Sequence, residues 1–340
     1  MNLKIQEENG FALILTLMVT AILAVIVLEF AQTTKIDMEI ARNYKDHLES
    51  YAIARSGIEF AIYALKADDP DVDDLTEDWA KDYSKILSSV MFKNGSLKLN
   101  ITDESSKINI NSVILHGGTS KEKVWDTTVN NLKRLCEITN QDYKFVDAAI
   151  DWIDKNDEVT IFEGQKESGG AEDRDYESLT PPYKCKNAQL DTLRELFLIK
   201  GFTEETYFGT KEEKGSESES FIKRTGLKDF ITIYGSHRIN INTAPNEVIM
   251  SLDLDLTQDM ALEIIKEREK SPFRSSEDLK KIQIIPEKVI NNISKKIIFK
   301  STGFFSLKSY GIVNNIATEI NAVLYRASKV QIFVVYWQVI

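Results

Sequence analysis

At 340 residues, the chain is long enough to bury a sizeable core and to form more than one folded unit. Its 43% hydrophobic and 28% charged residues exclude wholesale disorder. The formal net charge of −11 argues against a nucleic-acid-binding role, because such proteins neutralise phosphates with basic side chains.

The two cysteines, Cys136 and Cys185, lie far apart in the sequence and do not form a CxxC pair. A zinc site built on paired thiolates is therefore not supported. A disulfide between the two cysteines and two separate buried thiols both remain compatible with the sequence.

The N-terminus has the pattern of a membrane anchor. A polar segment ends in Gly10, and an uncharged run follows over residues 11–28. As a helix, this run covers roughly 27 Å, close to the hydrocarbon thickness of a bilayer. A cleaved secretory peptide is the competing interpretation, but Glu29 and Phe30 precede the nearest small residue, Ala31, and suit a cleavage site poorly. We therefore predict a retained anchor.

Helical periodicity continues beyond the membrane segment. Apolar residues recur at steps of about three and four through Leu65, and no proline interrupts the chain before Pro70. We predict one long helix over residues 11–66, apolar all round in its first half and amphipathic in its second half. A membrane span followed by a separate packed helix is the alternative.

The polar leader, the glycine, the phenylalanine and the two-part helix resemble the class III signal of type IV pilins and pseudopilins. The resemblance implies cleavage by a prepilin peptidase between Gly10 and Phe11, followed by methylation of the new N-terminus. It also implies that the apolar helix packs among neighbouring subunits during assembly. The residues expected in that packing are Phe11, Leu13, Leu15, Leu17 and Val19.

Two features depart from most pilins. The leader holds one Lys and two Glu, whereas leaders of this class are usually basic. Position 15 is Leu15, where most pilins carry a Glu that meets the N-terminal amine of an adjoining subunit. A subunit without such a neighbour gains by losing this carboxylate, since an unpaired charge in the bilayer is costly. The K-type pseudopilin is the member that typically lacks it.

After the helix, β-type and helical patterns alternate. The acidic run 68–78 is predicted to be a solvated linker. The other predicted elements are a hairpin at 97–111, a helical region at 119–205, strand-like alternation at 231–242, short helices at 244–282, and a strand-rich stretch at 297–340 with turns at 309–311 and 313–315.

These patterns predict an α+β chain with a type IV pilin-like fold, in which a long N-terminal helix packs on an antiparallel sheet. A large α-helical domain of the SAM-like, helix-hairpin-helix type is inserted in it. The predicted divisions are a leader at 1–10, the helix at 11–66, the first part of the pilin-like core at 67–112, the inserted domain at 113–294 with an acidic loop at 151–183 and a helix-hairpin-helix-like segment at 241–282, and C-terminal strands at 295–340.

The hairpin of the helix-hairpin-helix-like segment carries Asp253, Asp255 and Asp259 and no glycine. DNA-binding versions bring backbone amides to a phosphate through a glycine-containing hairpin, and acidic side chains would repel it. We therefore predict a structural or protein-binding version and no nucleic-acid partner.

The acidic loop is the sharpest candidate site. Between Asp151 and Ser178 there are ten acidic and three basic residues. Oxygen ligands gathered on a loop suit Ca²⁺, although the spacing is not that of an EF-hand. An open acidic loop without an ion is the alternative. The candidate ligands are Asp151, Asp154, Asn156, Asp157, Glu172, Asp173 and Asp175.

Several motifs in one order resemble the general secretion pathway protein K family. AIDWID, GGAED, PPY and Asn187 resemble its hallmark segment, and 193–207, 238–249 and 273–279 follow in the family's order. DLTEDWA and KININ upstream fit as well. The resemblance implies a tip subunit that caps the type II secretion pseudopilus with the I- and J-type minor pseudopilins, and calcium in the inserted domain. It also implies a single-pass inner-membrane protein that works with an assembly platform, with its bulk in the periplasm.

Enzyme signatures are absent from the sequence. His47, His116 and His237 are isolated, and neither a metal-binding histidine pair nor a nucleotide-binding glycine loop occurs. We therefore predict a non-enzymatic protein. Two alternatives remain: a minor pilin of a type IV pilus or DNA-uptake system, and a membrane-anchored periplasmic hydrolase using Asp151 and Asp154.

Overall fold

A single long helix dominates the N-terminal part of the molecule. The computed structural model describes residues 4–82, 92, 95–115, 123–124, 126–161, 169–210 and 225–340. Helix α1 runs over Lys4–Ala67, 64 residues without a break. The prediction of one continuous helix is confirmed, although α1 begins within the predicted leader rather than at Phe11.

The second half of α1 packs on a four-stranded antiparallel sheet. Its strands, in the spatial order β1-β8-β9-β10, are β1 Gly95–Asp103, β8 Phe304–Val313, β9 Ile316–Arg326 and β10 Ile332–Val339. A tight turn joins β8 to β9, with Asn314 in the left-handed region at φ 51°. The predicted turn at 313–315 is confirmed. The predicted turn at 309–311 is wrong, because these residues lie inside β8.

The predicted hairpin at 97–111 is also wrong. β1 pairs with β8, from Gly95 opposite Val313 to Asp103 opposite Phe305. Alternation in a sequence identifies a half-buried strand but not the strand it pairs with, which here lies about two hundred residues away in the chain. The chain after β1 turns through a 3-10 helix, Glu104–Ser106, into the short strand β2, Ile108–Asn109.

Small residues let α1 approach the sheet closely. A Cβ atom placed on Gly311 of β8 would lie 1.9 Å from the main-chain oxygen of Ser50. The hydroxyl of Ser309 donates a 2.7 Å hydrogen bond to the main-chain oxygen of Ala54. Apolar residues close the interface around these contacts: Ile58, Ala61 and Leu65 of α1 and Phe305, Leu307, Ile320, Ala322 and Leu324 of the sheet.

The remaining elements form a helical domain inserted between β1 and β8. Its helices are α2 Asp126–Ile138, α3 Phe145–Ile153, α4 Asp173–Glu177, α5 Glu204–Phe208, α6 Asn246–Ser251, α7 Gln258–Lys270, α8 Ser276–Leu279 and α9 Glu287–Ile293. Short strands join them in two-residue ladders: β3 Ile114–Leu115 with β4 Lys123–Val124, β2 with β5 Ile231–Thr232, and β6 Ile239–Asn240 with β7 Ile297–Ile298. This domain holds the largest apolar cluster of the described residues. The predicted α+β, pilin-like architecture is confirmed.

A buried polar network fixes the helical domain to the pilin-like core. The side-chain amide of Asn240 donates to the main-chain oxygen of Asp73 and to a carboxylate oxygen of Asp103, both at 2.9 Å. The hydroxyl of Thr243 donates to the same Asp103 oxygen at 2.8 Å. Each of these groups is removed from water, so its hydrogen bonds strongly favour this one arrangement of the two parts.

Candidate functional site

The first half of α1 has the properties of a membrane span. Its most apolar window of 18 residues has a mean hydropathy of 3.0, and none of that window is buried within the chain. By length and composition this helix is able to cross a bilayer. The five predicted assembly residues are all exposed in the isolated chain: Phe11, Leu13, Leu15, Leu17 and Val19. Their packing within a filament stays a prediction.

In the acidic loop, Asp151 ties the two ends of the loop together. It lies in the last turn of α3, fully buried, because every residue of this helix packs into the domain core. One carboxylate oxygen accepts a hydrogen bond from the main-chain N–H of Thr160 at 2.9 Å, and the other accepts one from Ala171 at 2.7 Å. The intervening residues 162–168, including Glu163 and Glu167, lie outside the described part of the chain.

Glu172 is a buried carboxylate surrounded by other carboxylates. Only 5% of it is exposed, and neither carboxylate oxygen has an N–H or O–H partner among the described residues. Burial, together with the negative charges of Asp151, Asp154 and Asp157, raises its pKa to about 7. A carboxylate held in this way is stabilised by either a proton or a cation.

Asn187 adds a further oxygen to this group. Its backbone adopts the left-handed region at φ 48°, and its amide nitrogen donates to Asp157 at 3.1 Å. Its carbonyl oxygen is buried without a partner among the described residues. Ca²⁺ takes oxygen ligands, and a buried oxygen atom without a hydrogen-bond donor is available to serve as one. The candidate ligand set drawn from the sequence omitted Asn187, which enters there only as part of the segment that resembles the protein K family.

The other predicted ligands point elsewhere. Asp173 accepts the main-chain N–H of Cys185 at 2.8 Å and faces the ammonium of Lys184 at 3.3 Å. Asp175 faces the ammonium of Lys200 at 2.9 Å, whose hydrogen bond lowers the pKa of Asp175. The side chain of Asn156 is used within its own turn, where it accepts the main-chain N–H of Glu158. The charges of Asp151, Asp154 and Asp157 thus act on Glu172, although no three of these carboxylates place oxygens within 4.8 Å of one another, whereas Asp173 and Asp175 face lysines.

The two cysteines are separate buried thiols and do not form a disulfide. Burial raises the pKa of both Cys136 and Cys185 to about 12, so neither is a thiolate at neutral pH. Cys185 packs beside the acidic loop, where its thiol donates to the main-chain oxygen of Asp151 at 3.4 Å.

The structure contains a second acidic cluster, which was not predicted from the sequence. The carboxylates of Asp68, Asp73 and Glu77 place one oxygen each within 4.8 Å of one another, and no other three acidic, histidine or cysteine residues in the described ranges do so. The run 68–78 is therefore not a fully solvated linker, and that prediction is wrong at Asp73 and Asp74, which are buried.

The guanidinium of Arg326, at the end of β9, neutralises this second cluster. It forms ion pairs with Asp68, at 2.8 Å, and with Asp73. Burial raises the pKa of Asp73 to about 6 despite the attraction of Arg326. Burial, together with the negative charges of Asp68 and Asp74, raises the pKa of Glu77 to about 8. Because an arginine already supplies the positive charge, the cluster closes the junction between α1 and the sheet rather than forming a ligand site.

The predicted helix-hairpin-helix segment has an acidic tip held by its own domain. Asp253 accepts a 3.0 Å hydrogen bond from the side chain of Asn292, and Asp255 pairs with Lys288 at 3.2 Å. Leu254 between them is 77% exposed. A phosphate approaching this tip would meet acidic side chains, which fits the predicted structural or protein-binding version of the segment.

The histidines lie on separate elements. His47 is on α1, with Nδ1 at 3.4 Å from the hydroxyl of Thr318, and His237 lies in the segment between β5 and β6. His116 falls outside the described residues. The described part of the chain therefore contains no grouping of histidines that resembles a catalytic site.

The fold indicates the class of protein to which this chain belongs. A long apolar and then amphipathic helix, lying on an antiparallel sheet that is interrupted by a helical domain, is the architecture of a membrane-anchored pilin-like subunit. Two family models, both described as "Type II secretion system (T2SS), protein K", match residues 106–209 and 239–296. The chain belongs to the type II secretion system protein K family and is thus a minor pseudopilin.

Curated relatives and a solved structure agree with this assignment. The type II secretion system protein K of Pseudomonas aeruginosa is 24% identical over 288 residues, which cover 81% of this chain and 76% of that protein. The protein K of Aeromonas hydrophila is 26% identical over 213 residues, covering 59% and 61%. A chain in the crystal structure of the GspK-GspI-GspJ complex from enterotoxigenic Escherichia coli has the same fold, with a TM-score of 0.63, 17% identity and coverage of 88% and 98%.

Proposed function

We propose that this chain is the tip subunit of a type II secretion pseudopilus, where it helps initiate assembly and caps the filament. The observation that carries the proposal is the inserted helical domain, which the Asp103–Asn240–Thr243 network holds rigidly on the pilin-like core. A subunit that repeats along a filament must stack its helix and sheet on both neighbours, and so large a domain leaves no room for this. A cap has neighbours on one side only.

The partners proposed for the tip are the I- and J-type minor pseudopilins. The support is the solved complex in which a chain of the same fold is combined with two other proteins, GspI and GspJ. Before assembly, the chain is proposed to sit in the inner membrane through α1, with its bulk in the periplasm and an assembly platform beside it. We propose no catalytic role, in keeping with a family of secretion components.

Leu15 fits a subunit at the end of a filament. This side chain is half exposed on the apolar part of α1, and it brings no charge into the bilayer. The position therefore needs no positively charged N-terminus on a following subunit. A repeating pilin, in contrast, needs that contact at every step of the filament.

Leader removal by prepilin peptidase tests the predicted class III signal directly. Replacing Gly10 by leucine is expected to abolish cleavage between Gly10 and Phe11 when the chain is co-expressed with the peptidase. The change does not disturb the fold, because a Cβ atom at Gly10 meets nothing within 4 Å. N-terminal sequencing and a gel shift report the result, and Asn9→Ala serves as the neighbouring control. Normal processing of the Gly10→Leu chain refutes the class III signal.

We also propose that the acidic loop holds a structural calcium ion. Asp151, Asp154, Asp157, Glu172 and Asn187 supply the oxygens, and the unpartnered oxygens of Glu172 and Asn187 support it. The ion would neutralise the buried carboxylates and tie α3 to the chain after the loop. It supplies no reaction chemistry in this proposal.

Calcium is accordingly expected to stabilise the soluble part of the chain, residues 35–340. At a hundredfold excess over the dissociation constant, the free energy of unfolding should rise by about 2.7 kcal/mol. Calorimetric titration followed by thermal unfolding measures both quantities. Glu172→Gln with Asp154→Asn should remove the gain, whereas Asp175→Asn should keep it because Asp175 faces Lys200. Absence of binding at millimolar calcium returns the loop to an ion-free one.

Calcium affinity should also depend on pH. The pKa of Glu172 is about 7 without an ion, so a proton competes with calcium below that pH. Affinity is therefore expected to fall as the pH drops from 8 to 6.

A further inference from the structure

The last strand of the sheet, β10, is an edge strand without a charged residue. It pairs with β9 on one side, and no described strand pairs with its other side. Phe333, Val334, Trp337 and Val339 are 52%, 49%, 39% and 44% exposed. Soluble proteins normally protect such edges with charged residues or proline, because an apolar edge recruits further strands.

The opposite edge of the same sheet is protected. Along β1, the residues Lys98, Asn100 and Thr102 alternate with the apolar residues, so this edge carries polar side chains that include the charged Lys98. The unprotected character of β10 is therefore particular to that strand and not a general property of the sheet.

The backbone of β10 is oriented to accept another strand. Ile340 and Glu319 exchange two main-chain hydrogen bonds, of 3.0 and 2.9 Å. Because inward and outward pairs alternate in an antiparallel ladder, the N–H and C=O groups of Val339 and Trp337 point away from β9. A regular pair of main-chain donors and acceptors thus stands at the free edge.

The helix-facing side of β10 is also left uncovered. Trp337 lies opposite Ala322, and Val339 lies opposite Ile320. Those two β9 residues are buried under α1, whereas Trp337 and Val339 stay exposed because α1 does not extend over β10. Burying this strand requires both a new strand beside it and a helix on the same side as α1.

We propose that β10 is completed by an edge strand of another pilin-like subunit, whose own long helix covers Trp337 and Val339. A subunit of this class provides a sheet edge and a helix on one face, which are the two elements that β10 lacks. The inference rests on the proposed tip function and specifies the surface through which the partner is held.

The test uses the full chain in detergent, alone and mixed with the I- and J-type pseudopilins of the same secretion system. Amide hydrogen exchange of residues 332–340 is followed by mass spectrometry with residue-level fragmentation. In the complex, the amides of Trp337 and Val339 should exchange at least about tenfold more slowly, whereas the β1 edge keeps its rate. Val339→Lys should weaken the complex by at least about tenfold, and Asn100→Lys on β1 should not.

The outcomes separate the two proposals. A complex that forms while the Trp337 and Val339 amides keep their exchange rates overturns the pairing and leaves the tip function standing. A chain that binds neither pseudopilin overturns both. Protection that appears in the chain alone and rises with its concentration identifies a second copy as the occupant, which overturns the pairing with a different subunit.

Discussion

Replacing Arg326 by methionine is expected to lower the free energy of unfolding by about 3–5 kcal/mol, because it leaves buried carboxylates without a counter-charge. Arg326 is buried at the end of β9 and forms ion pairs with Asp68 and Asp73, and Asp73 is itself fully buried. Urea unfolding of residues 35–340 measures the loss. Lys329→Met in the following turn removes an exposed charge and should change the free energy by less than about 0.5 kcal/mol.

The loss should depend on pH in a definite direction. Burial holds the pKa of Asp73 at about 6, above its ordinary value, so the folded state binds a proton that the unfolded state releases. Stability associated with this group is present at low pH and is lost as the pH rises through that pKa. Without Arg326 the pKa rises further, so Arg326→Met should be less harmful at pH 5 than at pH 8. An equal loss at both values contradicts the buried ion pair.

A double variant distinguishes charge from packing. Asp73→Asn removes one of the carboxylates that Arg326 neutralises, and its amide oxygen is able to keep the 2.8 Å hydrogen bond from the main-chain N–H of Ser301. The double variant Asp73→Asn with Arg326→Met should therefore be more stable than the sum of the two single changes predicts. Strict additivity indicates that Arg326 acts through packing alone.

Replacing Gly311 by alanine is expected to cost about 3 kcal/mol or more, because a methyl group there drives α1 off the sheet. The Cβ atom would lie 1.9 Å from the main-chain oxygen of Ser50 and 2.6 Å from the main-chain nitrogen of Ala54. Backbone atoms in the middle of a helix cannot move aside singly. Urea unfolding gives the cost, and near-ultraviolet circular dichroism reports whether the packed aromatic residues lose their fixed environment.

Gly57 provides a matched control in the same interface. A Cβ atom there would meet the hydroxyl of Ser309 at 2.3 Å and a methyl group of Leu97 at 2.9 Å, both of which are side-chain ends. Alanine also favours a helix over glycine by about 1 kcal/mol, which offsets part of the repacking. Gly57→Ala should therefore cost much less than Gly311→Ala. Equal losses contradict the view that helix backbone at Gly311 sets the distance of α1 from the sheet.

The membrane anchor and the fold class follow from local patterns that the sequence displays directly. Apolar residues over 11–28 and a helical period through Leu65 define α1, because a helix makes its hydrogen bonds within itself. Motif order then identifies the family. The hairpin assigned to 97–111 failed because a strand's partner is chosen by long-range packing, and β8 lies on the other side of the inserted domain.

The sequence indicates where the candidate calcium site lies, but it does not show which side chains come together there. The density of acidic residues marks the loop, since so many carboxylates are seldom gathered without a reason. Which of them converge depends on the path of the chain after Gly169, which directs Glu172 inward and turns Asp173 and Asp175 toward lysines. Asn187 joins the group through a left-handed backbone that its neighbours in the sequence do not signal.

By itself, the sequence determined that this chain has an apolar anchor helix, a pilin-like α+β fold and an acidic loop in an inserted helical domain. Only the tertiary structure decided which charges are buried and which strand edge is left open. Arg326 meets Asp68 and Asp73 across more than 250 residues of chain, and β10 ends beyond the reach of α1. The periodicity of a sequence indicates local structure, such as a helix whose hydrogen bonds join near neighbours. Charge pairing and sheet edges depend instead on distant segments that only the folded chain brings together.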